Sequence, residues 1–228
     1  MKRPPKYAGA ILTLVILFGG GSFLLGWSPV FTVRSVTISG APTQESELAV
    51  ARALEISKGD KLARLDPRAL SNRLRSFDWI ENSKVSRNWI SGKISISIQT
   101  RTPIALYSEP GKPQVALDAS GKTFATPSDI AQGLPKVSAT SVEGGLAAIK
   151  LFTELPKSFS EKIDRMSAAR IDNFLIYGEF SGQNLRIIWG DGADTDLKVE
   201  VISALLQREE NKNLRMIDVS APHAPIVK

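Results

Sequence analysis

Between Lys6 and Arg34 the 228-residue chain carries no charged residue. Inside that gap, residues 7–27 read YAGAILTLVILFGGGSFLLGW, 21 mostly apolar positions. A bilayer core takes about 20 residues of helix, so this run is long enough to span one. Lys2, Arg3 and Lys6 stand directly before it. The positive-inside rule then puts the N-terminus in the cytoplasm and everything after Trp27 outside. Tyr7 and Trp27 mark the two ends, where aromatic rings favour the interface. The rival is a cleavable signal peptide, but the run exceeds the usual apolar stretch of about 7–15 residues and no A-x-A site comes after it. Residues 28–34 instead lead straight into a strand pattern. The expectation is an uncleaved single-pass (type II) anchor at the cell membrane, with residues 1–6 as a cytoplasmic tail. Gly19-Gly20-Gly21-Ser22 is either a close-packing face for another helix or a set of tolerated glycines.

Composition limits the chemistry open to the rest of the chain. There is no Cys and one His. That removes disulfides, thiolate metal sites and a Cys nucleophile, and leaves little material for His-based catalysis. The net charge of +6 suggests a polyanion partner until it is split by position. Residues 1–30 hold 3 bases and no acid, residues 31–101 hold 12 bases and 7 acids, and residues 102–228 hold 14 bases and 16 acids. Part of the charge is a topogenic tail. The excess in 31–101 is either an ordinary solvated face or a surface turned to anionic headgroups. Folded regions outside the cytoplasm disfavour nucleic acid.

Residues 31–100 read as β-α-α-β-β. Residues 32–39 are rich in β-branched side chains and end at Gly40, which suits a strand and turn. Thr43 suits an N-cap, with Glu45 and Glu47 in the first turn. Leu48, Val50, Ala53 and Leu54 supply an apolar side. Asp66-Pro67 is a second helix start, Asp at N-cap and Pro at N1, with Leu70, Leu74 and Phe77 along one face. Residues 84–89 form a short strand. In residues 93–99, Ile94, Ile96 and Ile98 alternate with Ser95, Ser97 and Gln99, the pattern of a half-buried antiparallel strand.

With this pattern in place, the chain resembles the POTRA domain of the bacterial cell-division FtsQ/DivIB family. The resemblance runs through Phe31-x-Val33-x-x-Val36-x-Ile38-x-Gly40, Gly59-x-x-Leu62-x-x-Leu65-Asp66, Trp79-Ile80, Val85-x-Arg87-x-Trp89 and Arg101-x-Pro103-x-Ala105. Ile90 stands where the family commonly has Pro, and Thr100 where it has an acid. Residues 101–220 resemble the family's β domain. Asp118, Gly121 and Phe124 fit its hairpin between residues 114–117 and 123–125, and Leu134-Pro135 comes next. Residues 144–155 read as a helix, 168–180 and 185–189 as hairpin strands split by Ser181-Gly182, 194–210 as a helix with Leu197, Val201, Ala204 and Leu205 on its apolar face, and 215–219 as a final strand. The ending IDVSAPHAPIVK resembles the actinobacterial branch, with 221–228 as a tail. The fold class expected is α+β: one transmembrane helix, a POTRA-like domain, then a mixed or antiparallel β domain with helices.

No residue set points to catalysis, a cofactor or a metal. Asp191, Asp194 and Asp196 lack the EF-hand series and read as a helix N-terminus. His223, between Pro222 and Pro225, reads as solvated. A useful surface is then an edge strand, which offers unpaired N–H and C=O groups to an extended partner. The resemblance implies that FtsB, within an FtsB–FtsL pair, adds a strand at the C-terminal edge of the β domain. On this chain the candidate residues are Arg215, Ile217, Val219, Ser220, Ala221, Pro222, His223, Ala224, Pro225, Ile226 and Val227. Pro222 and Pro225 lack N–H groups, so a partner either pairs around them or uses residues 215–219, or the tail merely discourages aggregation. The resemblance implies a non-enzymatic scaffold of the divisome at the septal membrane, linking FtsB/FtsL-type partners to septal wall synthesis, with no small-molecule substrate. The alternatives are a POTRA-bearing envelope-assembly component and an anchored peptidoglycan hydrolase.

Overall fold

The computed structural model describes residues 7–27, 31–125 and 131–228. The expected cytoplasmic tail, residues 1–6, and the junction at 28–30 lie outside the described residues. Helix α1 (Ala8–Trp27) has 20 residues and no acid in its first turn or base in its last. At about 1.5 Å per residue it is about 30 Å long. Residues 11–20 are exposed and Gly21 is half-buried. Among the described residues no helix is long and apolar enough to cross a membrane.

The chain divides into two compact units, one ending at Arg101 and the other beginning at Thr102. The first contains β1 (Ser35–Ser39), α2 (Gln44–Leu54), a 3-10 turn at Leu62–Arg64, α3 (Pro67–Leu74), β2 (Ile80–Asn88) and β3 (Lys93–Thr100). Its three strands are ordered β1-β3-β2. The isoleucine strand is therefore central: Ile96 sits beside Ile38 of parallel β1 and Val85 of antiparallel β2. Ile94, Ile96 and Ile98 are all buried and meet Val50, Leu54, Leu62, Leu70 and Leu74 in one core. Both helix starts form as the sequence suggests. Thr43 Oγ1 accepts from the Ser46 N–H, and Asp66 Oδ1 from the Arg68 N–H with Pro67 at the first position. Leu48 departs from expectation: it is 57% exposed, because Val50 and Leu54 already fill the buried side of α2. β2 starts four residues before residue 84, as buried Ile80 pairs with Thr100 ahead of a bulge. Within the Val85-x-Arg87-x-Trp89 pattern, Arg87 Nη1 donates to the Leu62 and Leu65 carbonyls at 2.7 and 2.6 Å, and its guanidinium lies 5.1 Å from the Trp89 ring. That contact ties the 3-10 turn to the sheet.

The second unit holds β4 (Pro103–Ser108), β5 (Val115–Asp118), β6 (Thr123–Phe124), β7 (Lys136–Ala139), α4 (Val142–Glu154), α5 (Lys157–Ser160), β8 (Ile163–Arg170), β9 (Asn173–Phe180), β10 (Gln183–Gly190), α6 (Thr195–Leu206), β11 (Met216–Asp218) and β12 (Ile226–Val227). The described residues form one nine-stranded sheet, ordered β12-β11-β10-β9-β8-β7-β4-β5-β6. β7 and β8 are parallel and joined by α4; β10 and β11 are parallel and joined by α6. Hairpins make β8 and β10 parallel to each other. Two crossovers of the usual right hand then place both helices on the same face. There Ile149, Leu151 and Ile202 pack with Tyr107, Val137, Met166, Ile176, Ile187 and Ile217.

Several expectations for this unit change. Residues 168–180 are not one strand: β8 ends at Arg170, and a turn at Ile171-Asp172 leads into β9. Strands β4 and β7 have no clear sequence signal, being short stretches buried by their neighbours. Helix α6 buries Lys198 and Ile202, one position round from the expected face, and leaves Ala204 exposed. Asp194 sits at its N-cap with φ 51° and makes no side-chain cap bond. The strand at 215–219 is not the last, because β12 comes after it and pairs with it. Asp118 gives the hairpin motif its physical basis: its Oδ1 accepts from the Ser120 N–H and hydroxyl and from the Lys122 N–H, closing the turn.

Candidate partner-binding edge

β11 owes its place to its side chains. Ile217 and Val219 are fully buried and aim at the core, while Met216 and Asp218 face the other way. In parallel register with β10, Ile187 lies beside Ile217 and Ile188 beside Asp218, and the Val219 N–H donates to the Ile188 carbonyl at 2.9 Å. The chain then passes so close to Gly190 that a Cβ there would sit 2.8 Å from that of Ser220. With φ +75° as well, this position accepts glycine and little else. Asp218 Oδ1 accepts from the Ser220 N–H and hydroxyl, at 2.9 and 2.7 Å, which starts the reversal. The Ala224 N–H to Ala221 carbonyl bond completes it. Pro222 is buried and His223 exposed. The prolines therefore serve a turn rather than spoil a ladder.

The returning residues pair antiparallel with β11, Ile226 beside Asp218 and Val227 beside Ile217. The Lys228 carbonyl accepts from Arg215 and Met216, and the Lys228 N–H donates to Met216 at 3.0 Å. β11 is thus flanked on both sides, and β12 forms the sheet edge. Antiparallel ladders alternate, so if residue 228 bonds inward, Val227 turns its N–H and C=O outward. Pro225 has the same parity and turns out a carbonyl but no N–H. Ile226, 55% exposed, stands on the face away from the helices. The sequence-predicted residues separate accordingly. Ile217, Val219 and Pro222 are buried; Arg215 is bound into the ladder; Ser220, Ala221, His223 and Ala224 form the turn; Pro225, Ile226 and Val227 make the edge.

A buried cation supports the loop before α6. Lys198, 1% exposed, donates from Nζ to the Asp191 carbonyl at 3.0 Å and to Asp191 Oδ1 at 3.1 Å, and lies 5.7 Å from the Trp189 ring. The Lys198 ammonium, helped by the Ala193 N–H, holds the Asp191 carboxyl below the usual carboxylate range. Asp191 is therefore a tether, not a cap. Among the described residues no group of three or more His, Asp or Glu is placed to hold a metal ion. The apolar positions Leu197, Val201, Ala204 and Leu205 read as an unbroken face, so the sequence offers no signal for the buried lysine.

Residues 31–101, the whole of the β1-α2-α3-β2-β3 unit, match the family model described as "POTRA domain, FtsQ-type". Outside that stretch the likeness continues. A protein named cell division protein FtsQ from Streptomyces collinus is 27% identical, across 93% of this chain and 83% of its own length. The FtsQ of Mycobacteroides abscessus is 27% identical over 96% of this chain and 68% of its own. That of Streptomyces coelicolor is 26% identical over 98% and 89%. Residues 31–101 are an FtsQ-type POTRA domain, and most of the chain is similar to proteins named cell division protein FtsQ. The β11–β12 edge covers the residues for which the sequence resemblance implies an added partner strand. The chain's own residues already occupy the first position beyond β11, and no sequence pattern betrays this, because Ile226-Val227 is too short to give a periodic signal.

Proposed function

We propose that this protein is a bitopic, non-enzymatic scaffold of the bacterial divisome. α1 with its flanking residues serves as the membrane anchor, N-terminus inside, and both extracytoplasmic units work at the septum. The single observation that carries the reading is an FtsQ-type POTRA unit followed by a sheet that ends in a short, outward-facing edge. A partner of the FtsB/FtsL kind adds an extended segment to β12, bonding to the N–H and C=O of Val227 and to the Pro225 carbonyl, with Ile226 as an apolar contact. The 21-residue uncharged run preceded by three bases supports the anchor. The scaffold would join these partners to septal cell-wall synthesis.

Val227→Pro removes the one outward N–H while sparing the inward bonds of Lys228. Co-purification of FtsB/FtsL-type proteins with the full-length chain should fall about tenfold, the worth of roughly one charge-free hydrogen bond plus lost fit. Ile226→Lys should weaken it without touching the backbone. Undiminished capture by both variants overturns the edge assignment. Loss of the wild-type chain from the carbonate-washed membrane fraction would overturn the anchor.

A further inference from the structure

The face of the nine-stranded sheet opposite α4 and α6 carries an ordered row of side chains. Register places Leu106, Lys136, Arg165, Tyr177, Arg186 and Met216 side by side on β4, β7, β8, β9, β10 and β11. Each is one step from a core residue of the same strand, so all face away from the helices. The next row on this face begins with Ser108, Ser138 and Ser167, again in register. Ser108 and Ser138, small beside a row of long residues, leave a hollow of about 610 Å³, lined also by Lys136, Asp164, Arg165 and Tyr177 among others.

The chemistry of the hollow is that of a carboxylate receiver. The Arg165 guanidinium lies 4.4 Å from the Tyr177 ring centroid, which holds it flat and leaves its N–H edge available. Among the described residues Lys136, Arg165 and Arg186 have no ion-pair partner, and the hydroxyls of Ser108 and Ser138 have no hydrogen-bond partner. Two cations and Asp164 leave the hollow with one net positive charge, which matches a single carboxylate rather than a densely charged polyphosphate. Arg186 stands two strands from Arg165, about 10 Å away at about 4.8 Å per strand. Glu179 and Asp218 also face this side; Asp218 is engaged by Ser220, and Glu179, on β9 between β8 and β10, stands opposite Asn184 and diagonal to Arg186.

We infer that this face binds an acidic segment of a partner protein, one carboxylate in the hollow between Lys136 and Arg165 and a second at Arg186. The surface is separate from the β12 edge, and the inference stands without it. The test is fluorescence anisotropy of the purified full-length protein with a labelled octapeptide alternating Glu and Ser. Binding should weaken as salt rises from about 0.1 M to about 0.5 M. It should fall about tenfold or more when Lys136, Arg165 and Arg186 are together replaced by Ser. Ser138→Asp, which puts an acid on the floor of the hollow, should weaken it as well, while Val227→Pro should leave it unchanged. Equal binding of the Gln-Ser peptide, undiminished binding by the triple variant or by Ser138→Asp, or tighter binding of a glycerol-phosphate polymer than of the peptide each overturns the inference.

Discussion

Lys198 is the residue at which local rules and the folded state disagree most. Nothing in an amphipathic reading of α6 buries a lysine, yet it is 1% exposed and carries the turn at Asp191. A buried charge with one carboxylate partner is stable only while that partner is ionised. Asp191→Asn should lower stability by about 1–2 kcal/mol at pH 7. A fully buried pair would lose more, but Asp191 is 60% exposed. The sign comes from the lowered carboxyl pKa. The stabilisation is present above the ordinary aspartate range and is lost as pH falls through the depressed folded value. Denaturant titration should therefore show a wild-type advantage at pH 7 that shrinks as the pH falls below the ordinary aspartate range. Lys198→Met should be neutral or stabilising, since it removes the charge instead of orphaning it. An Asp191→Asn variant as stable as wild type at pH 7 would show that the pair contributes nothing to the turn.

Elements with a strong periodic or capping signature are legible in the residues alone. The alternating isoleucines of β3, the Thr43 and Asp66 caps and the Asp118 hairpin all form where their chemistry requires. What escapes are short strands defined by neighbours: β4, β7, the start of β8 and, above all, β12. Two residues cannot show alternation, and Pro222 and Pro225 read as ladder breakers when they actually shape the return turn. The edge itself makes a prediction at this scale. Amide exchange should be slow at Arg215, Met216 and Lys228, whose N–H groups are bonded within the β11–β12 ladder, and fast at Val227, whose N–H points outward. Equal protection of Val227 and Lys228 in the isolated protein would reverse the assigned parity.

The whole molecule is two cores rather than one. Val33 through Ile98 supply one cluster and Ala105 through Val219 the other, without a shared buried residue. Each core is built only from its own unit, so each should fold alone. Fragments 31–101 and 102–228 should each give a cooperative thermal transition and dispersed amide resonances. The smaller, at about 70 residues, should be the less stable because small domains bury a lower fraction of their surface. A fragment that is soluble but lacks a cooperative transition would show that the units depend on each other. The candidate sites divide in the same way. The POTRA unit is recognisable from its family resemblance, carried by its residue pattern together with the apolar run ahead of it. The hollow on the second unit is not, because it depends on the register of four strands drawn from residues 103 to 180.

The close approach at Gly190 reaches further than its own turn. β11 pairs with β10 and β12, and β12 with β11 alone, so the outer edge rests on every strand behind it. An edge of this kind does not exist on a partly assembled sheet. A partner that recognises it by backbone pairing would thereby be inspecting the finished state of the molecule, and would be recruited by chains that have passed that inspection and by no others.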